Sequence, residues 1–166
     1  MKSKPLILIK DLYPDICKWF TRYLKDRIKR ANIEVIDTHA INLSRLIIDR
    51  SLQSIFPQAS SFDIKVDITA LIEQKKQINL AFVECKLSPI NLRDLGQILG
   101  YSRVAYPLYS FIISPEWISA SLVNLFEVFG KYDILGYGSN KRIRIAKWNI
   151  ARKEIDSETI IPPGPL

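Results

Sequence analysis

The sequence predicts an α/β domain, on three observations. Apolar residues recur at intervals of three and four through residues 12–28, the period of an amphipathic helix. Residues 62–70 instead alternate strictly between apolar and polar, the period of a strand, and a second strand-like segment follows shortly after. The 166 residues are 48% apolar and 25% charged, which suits a core-forming chain and argues against a disordered one. A single domain over residues 1–166 is therefore expected. No uncharged apolar run approaches the ~18 residues of a membrane helix, and Leu6-Ile7-Leu8-Ile9 is too brief for a signal-peptide core. Cys17 and Cys85 form neither a metal nor a redox spacing. A cytoplasmic protein with no membrane partner is expected. The 24 Lys plus Arg against 17 Asp plus Glu leave a net charge of +7, which favours an anionic partner such as nucleic acid without requiring one.

The first helix is expected to begin at Tyr13-Pro14, because proline suits the first helical position. Leu12, Ile16, Phe20, Tyr23, Leu24 and Ile28 form its apolar stripe, and a basic cluster over residues 25–30 ends it. Residues 33–36 read as a short strand and residues 43–53 as a second helix capped by Asn42. Two strands, residues 62–70 and 78–86, are joined through Gln74-Lys75-Lys76-Gln77. A four-residue loop is expected there, since two lysines suit poorly a two-residue primed turn that needs positive φ. A helix over residues 91–105 and a buried strand over residues 108–113 follow. Leu122, Val123, Leu125, Phe126 and Phe129 line an apolar core helix closed by Gly130. Gly136-Tyr137-Gly138-Ser139-Asn140 then turns the chain into a C-terminal hairpin whose second strand is residues 141–148. Residues 160–166 read as an extended, proline-rich tail.

Either loop length in the central hairpin gives the same register. One face then collects Phe62, Ile64, Val66, Ile68, Ala70 and Ile72 with Ala81, Val83, Cys85 and Leu87, and reads as core. The other collects Asp63, Lys65, Asp67 and Thr69 with Phe82, Glu84 and Lys86. A slip of one residue would mix the two sets, so the side chains themselves select the register. It places Asp67 opposite Glu84, with Cβ atoms ~4.5–5.5 Å apart. Two facing carboxylates repel unless something compensates. Lys65 and Lys86 on the same face offer one compensation, an ordinary salt-bridge patch. A divalent cation offers the other, because a pair of hard carboxylate ligands suits Mg²⁺ or Mn²⁺. Asp63 is the rival to Asp67, but it falls opposite Ser88 and not Glu84.

Asp67 followed after a hairpin by Glu84-Cys85-Lys86 resembles the signature of the PD-(D/E)XK nuclease superfamily, the restriction-endonuclease-like fold. Gln97 and Tyr101 on the next helix resemble the Gln-x-x-x-Tyr motif of its RecB-like and CRISPR-associated branches. The resemblance implies a central mixed β-sheet flanked by helices, with a core over about residues 12–113 and a C-terminal extension over about residues 114–166. It also implies metal-dependent hydrolysis of phosphodiester bonds in DNA. Mg²⁺ or Mn²⁺ would be held by Asp67, Glu84 and the backbone carbonyl of Cys85. Lys86 would orient or activate the attacking water, and Gln97 and Tyr101 would position the metal shell or the strand being cut. The Cys85 thiol points to the opposite, core face and is packing. Val66 stands where many relatives have proline. Relatives often carry a glutamate on the first helix, where this chain offers only Asp11 and Asp15. The four-cysteine iron–sulfur frame of the CRISPR-associated branch is absent. Two alternatives stay open: a structure-selective Holliday-junction resolvase, and a non-catalytic nucleic-acid-binding module on the same fold. Double-strand cleavage would call for a homodimer, joined through the apolar helix or the tail.

Other features carry weaker readings. His39, the only histidine, follows a strand end and suits a capping or surface role. Gly96 and Gly100 are expected to let the helix that bears Gln97 pack closely on the sheet. In the C-terminal strand, alternation gathers Arg142, Arg144, Ala146 and Trp148 on one side. With Lys65, the two arginines and the tryptophan could track a phosphate backbone and stack a base. The alternative is an edge strand protected by positive charge.

Overall fold

The computed structural model describes residues 7–61 and 63–164. Helix α1 (Ile9–Arg27) begins a turn earlier than Tyr13-Pro14 predicts, leaving Pro14 inside it. Asp11 explains the earlier start: its carboxylate accepts the Leu8 N–H at 2.9 Å and so satisfies one of the donors a helix start leaves open. Ile16, Phe20 and Leu24, all fully buried, hold the helix on the sheet in spite of the proline. Strand β1 (Asn32–Asp37), helix α2 (Leu43–Asp49) and the short α3 (Pro57–Ser61) follow, the last of these unanticipated.

Strands β2 (Ile68–Gln74) and β3 (Gln77–Cys85) form the central hairpin in the expected register, with Thr69 opposite Phe82 and Gln74 opposite Gln77. The loop differs from expectation. Only Lys75 and Lys76 lie between the paired glutamines, with φ of 50° and 64°. A primed two-residue turn matches the right-handed twist of its strands, and the ladder outweighs the ~1–2 kcal/mol that each left-handed lysine costs.

The start of β2 is a second correction. The alternation predicts a strand from Phe62, which itself lies outside the described residues, yet the ladder begins only at Ile68. Upstream backbone is claimed by other partners: the Leu43 N–H donates to the Ile64 carbonyl, the Thr38 hydroxyl to that of Val66, and the Thr38 N–H to that of Asp67. The chain bends at Asp67, so Ile64 and Val66 pack on the opposite side of the sheet from Ile68 and Ala70. Leu87, also assigned to the core face, is exposed.

Helix α4 (Leu92–Ala105) and strand β4 (Tyr109–Ser114) then make the parallel crossover, β4 running alongside β3. A short helix α5 (Ala120–Val123) continues as a π-turn over Asn124–Val128. The wider turn leaves Leu122 and Phe126 inward but Phe129 69% exposed, so the expected core helix buries only part of its apolar stripe. Strands β5 (Gly136–Gly138), β6 (Lys141–Asn149) and β7 (Glu154–Ile161) complete a seven-stranded mixed sheet ordered β1-β2-β3-β4-β6-β5, with β7 also on β6. The architecture is thus mixed α/β, a central sheet flanked by helices.

Both faces of the sheet are covered. On one, α1 packs Trp19, Phe20 and Tyr23 onto Ile68, Val83, Phe111 and Trp148. On the other, Leu95 and Ile98 of α4 pack onto Leu71, Leu80, Phe82, Ile112 and Ile145. Strand β6 pairs with β4 on one side and with β5 and then β7 on the other, so it is a sheet edge only over the gap between those two. Trp148 is 2% exposed, edge-on to Trp19 at 6.0 Å, and its ring is closed to any base.

Candidate active site

Asp67, Glu84 and Lys86 meet at the carboxyl end of β3, with Tyr13 hydrogen-bonded and Asp94 ion-paired to them. Asp67 sits at the bend one position before the β2 ladder begins, adjoining the pair Ile68–Val83. Its carboxylate turns across the end of the sheet. One oxygen accepts the Cys85 N–H at 2.8 Å, and the other accepts the Tyr13 hydroxyl of α1 at 2.9 Å. Glu84, on the α4 side, is 5% exposed. One of its oxygens accepts from the Lys86 ammonium at 2.9 Å, and the other, Oε2, is buried with no hydrogen-bond partner among the described residues.

Lys86 is held by both backbone and side chain. Its N–H donates to the Ile113 carbonyl, which fixes the exit from β3, and its ammonium lies 3.8 Å from Asp94 in the first turn of α4. Asp94 also accepts the Asn91 N–H at 3.1 Å while Asn91 accepts from the Asp94 N–H, a reciprocal cap that fixes the helix start beside Lys86.

Burial, reinforced by the nearby Asp67 charge and opposed by Lys86, raises the Glu84 carboxyl to about 7. Burial alone would lower Lys86, but Glu84 and Asp94 outweigh it and hold it above the ordinary lysine value, firmly cationic. Burial, then Asp67, pushes the Tyr13 phenol up, so it remains a donor to that carboxylate. The Cys85 thiol is buried in the α1-side core and raised by that burial, as its packing role predicts.

The remaining expectations divide. Gln97 donates to the Tyr101 hydroxyl at 3.0 Å, and the pair lies on the same face of α4 as Asp94, but neither hydrogen-bonds to Asp67, Glu84 or Lys86. Gly96 and Gly100 have nothing within 4 Å of where a Cβ would stand, so close packing is not their reason. Asp63 and Lys65 are exposed on the segment before the bend, outside the strand face assigned to them. Asp11 caps α1 and Asp15 meets Lys153 at 3.2 Å, so neither acid of the first helix joins the site.

What that helix contributes is Tyr13, which sequence reasoning missed. In the sequence it was legible only as the start of the first helix, because its partner is 54 positions away. His39 is exposed, as a surface role predicts, and there it stacks on the Tyr13 ring at 5.0 Å and bonds Asp37 at 2.6 Å.

The donor set suits a hard divalent cation. Among the described residues no three His, Cys, Asp or Glu side chains converge on one point. Mg²⁺ needs no such cage, since it keeps several waters and binds through one or two carboxylates. A buried carboxylate oxygen without a donor, beside a second carboxylate, is the chemistry such an ion would complete.

Comparison with protein-family models, with curated proteins and with solved structures gives no match. Among the described residues no helix is long and apolar enough to cross a membrane.

Proposed function

We propose that this protein is a metal-dependent nuclease that hydrolyses phosphodiester bonds in DNA at the Asp67–Glu84–Lys86 site. The observation that carries the reading is the Glu84 carboxylate, sunk in the protein with Oε2 unpartnered and Asp67 close enough to raise its pKa. A buried, half-satisfied acid is costly unless a ligand completes it. With α2 and α3 set aside as an insertion between β1 and β2, the order helix, three strands, helix, parallel strand supports the reading, since the resemblance implies that core order. The net charge of +7 suits a polyanionic substrate.

In this mechanism Asp67 and Glu84, with the Cys85 carbonyl, would hold the ion. When bound, Mg²⁺ lowers the pKa of its water and offsets charge on the phosphate. Tyr13 and the Cys85 N–H fix the orientation of Asp67. Lys86 stays protonated, which suits it to orienting water and stabilising phosphate charge, and not to abstracting a proton. Gln97 and Tyr101, a turn or two along α4 from Asp94, would contact the strand on that side.

The test is cleavage of supercoiled circles, linear duplex, end-labelled single strands and a four-way junction in Mg²⁺, Mn²⁺ or EDTA. Cutting should require metal and fall at least ~10³-fold in Asp67→Ala and Lys86→Ala. The preferred substrate then separates exonuclease, endonuclease and junction resolvase. Metal-independent DNA binding without cutting, equal in wild type and both variants, would replace the nuclease by a binding module.

A further inference from the structure

A concave site lies at the opposite end of the same strands. Strands β3, β4 and β6 run parallel, and Glu84 and Lys86 are at the carboxyl end of β3. At the amino ends of β4 and β6 a cavity of about 640 Å³ opens, within the ~300–1,000 Å³ range of small-molecule sites.

Its origin is a split in the sheet edge. On the outer side of β6, β5 pairs only with Lys141 and Arg142, whereas β7 pairs from Ile145 onward. Between them the edge is left open, and the chain beyond β7, Pro162 to Gly164, forms part of the rim.

The lining is lopsided in charge. Lys141, Arg142 and Arg144 contribute three cations against the single carboxylate of Asp133, and Tyr109 and Tyr137 supply aromatic wall. Neither Lys141 nor Arg142 forms an ion pair with an acid among the described residues, unlike Arg45, Arg50 and Lys86 elsewhere.

Lys141 is also pre-positioned. Its ammonium donates to the carbonyls of Tyr106 at 3.3 Å and Pro107 at 3.1 Å and stands 3.8 Å above the Tyr106 ring. Two carbonyls and the ring face thus fix the position of its charge at the cavity wall. The ring in turn requires Gly138, where any Cβ would come within 2.3 Å of it. Tyr106 itself sits in the left-handed region, φ 52°. Two locally unfavourable choices therefore serve to hold one cation at the mouth of the cavity.

We propose that this cavity is a binding site for a phosphate-bearing ligand of mononucleotide size, the phosphate held by Lys141, Arg142 and Arg144. The ligand is either a free nucleotide or the phosphorylated end of a strand, which present the same group. A duplex is too wide to enter. The site does not rest on the nuclease reading, because it shares no residue with Asp67, Glu84 or Lys86.

The full chain, in EDTA, is titrated with inorganic phosphate, ADP, and a short single strand with either a 5′-phosphate or a 5′-hydroxyl end. Arg142→Ala, Arg142→Ala/Arg144→Ala and Asp67→Ala are compared with wild type, with melting temperature checking the fold of each. Saturable binding that weakens at least ~10-fold in Arg142→Ala, further in the double variant and not in Asp67→Ala, is expected. Binding of ADP or phosphate identifies a free ligand, and binding only of the 5′-phosphorylated strand identifies a strand end. No saturable binding of any phosphate probe overturns the proposal. So does binding that is insensitive to both arginine variants, or that Asp67→Ala abolishes equally.

Discussion

The two layers of this molecule bury the same sheet in different ways. The α1 side is an aromatic core, with Trp19, Phe20, Tyr23, Phe111 and Trp148 meeting edge-on or stacked. The α4 side is largely aliphatic but takes the buried polar groups of the strands. Nearly all of these are paired: Thr38 with Val66 and Thr69, Ser102 with Ser110 at 2.8 Å, Ser114 with the Ser88 carbonyl at 2.8 Å. Among the described residues Glu84 Oε2 is the exception. Interiors that satisfy every neutral hydroxyl and leave a carboxylate oxygen open are not tolerating sloppy packing. The contrast marks that one position as a place where stability has been given up for something else.

The largest effect expected is on the dry side. Trp148→Ala should cost ~3–5 kcal/mol in urea unfolding, because it opens a cavity between α1 and the sheet that cannot collapse around fixed rings. A base-stacking Trp148 would instead be removable at little cost to stability, so a value below ~1 kcal/mol would break the distinction between the layers.

The next effect is on the polar side and depends on pH. Glu84 has its proton held up to about 7 in the folded protein against an ordinary value of 4.5. Between those pH values the folded protein binds more protons than the unfolded chain, so stability falls as pH rises. The favourable contribution is complete below about pH 4.5 and gone above about pH 7. In metal-free buffer the loss should be on the order of 3 kcal/mol. Glu84→Gln should remove that slope, and millimolar Mg²⁺ should reduce it in the wild type. Equal pH slopes for wild type and Glu84→Gln would show that the acid is satisfied after all.

How much of this was legible in the sequence follows from how local each cause is. The β2–β3 register could be read because every side chain of two adjoining strands votes on it, and with it the nearness of Asp67 to Glu84. The turn could not, since the positive φ of Lys75 and Lys76 is imposed by strand twist and not by their own preference. The bend at Asp67 was invisible for a related reason: the alternation continues through residues 63–67, while the hydrogen bonds that end the strand come from Thr38 and Leu43. Trp148 looked accessible because its neighbours are arginines and lysines. Its burial comes from α1, whose Trp19 is more than a hundred positions earlier in the chain. Pairings within a hairpin were thus readable, and those that reach across the fold were not.

The smallest effect tests a bond that reaches from the aromatic layer to the candidate site. The Tyr13 hydroxyl leaves the aromatic side to bond Asp67 at the sheet end. Tyr13→Phe keeps the ring and its stack on His39, so stability should fall by only about 1 kcal/mol, the value of one hydrogen bond. If Tyr13 positions Asp67 for a cation, the same change should weaken the Mg²⁺ half-saturation or rate of cleavage ~10–100-fold, the usual effect of a residue behind a metal ligand, with affinity for DNA in EDTA unchanged. A purely structural tyrosine would lower the melting temperature and leave the metal dependence where it was. Tyr13→Phe therefore separates a hydrogen bond that merely closes the end of the core from one that aims a carboxylate.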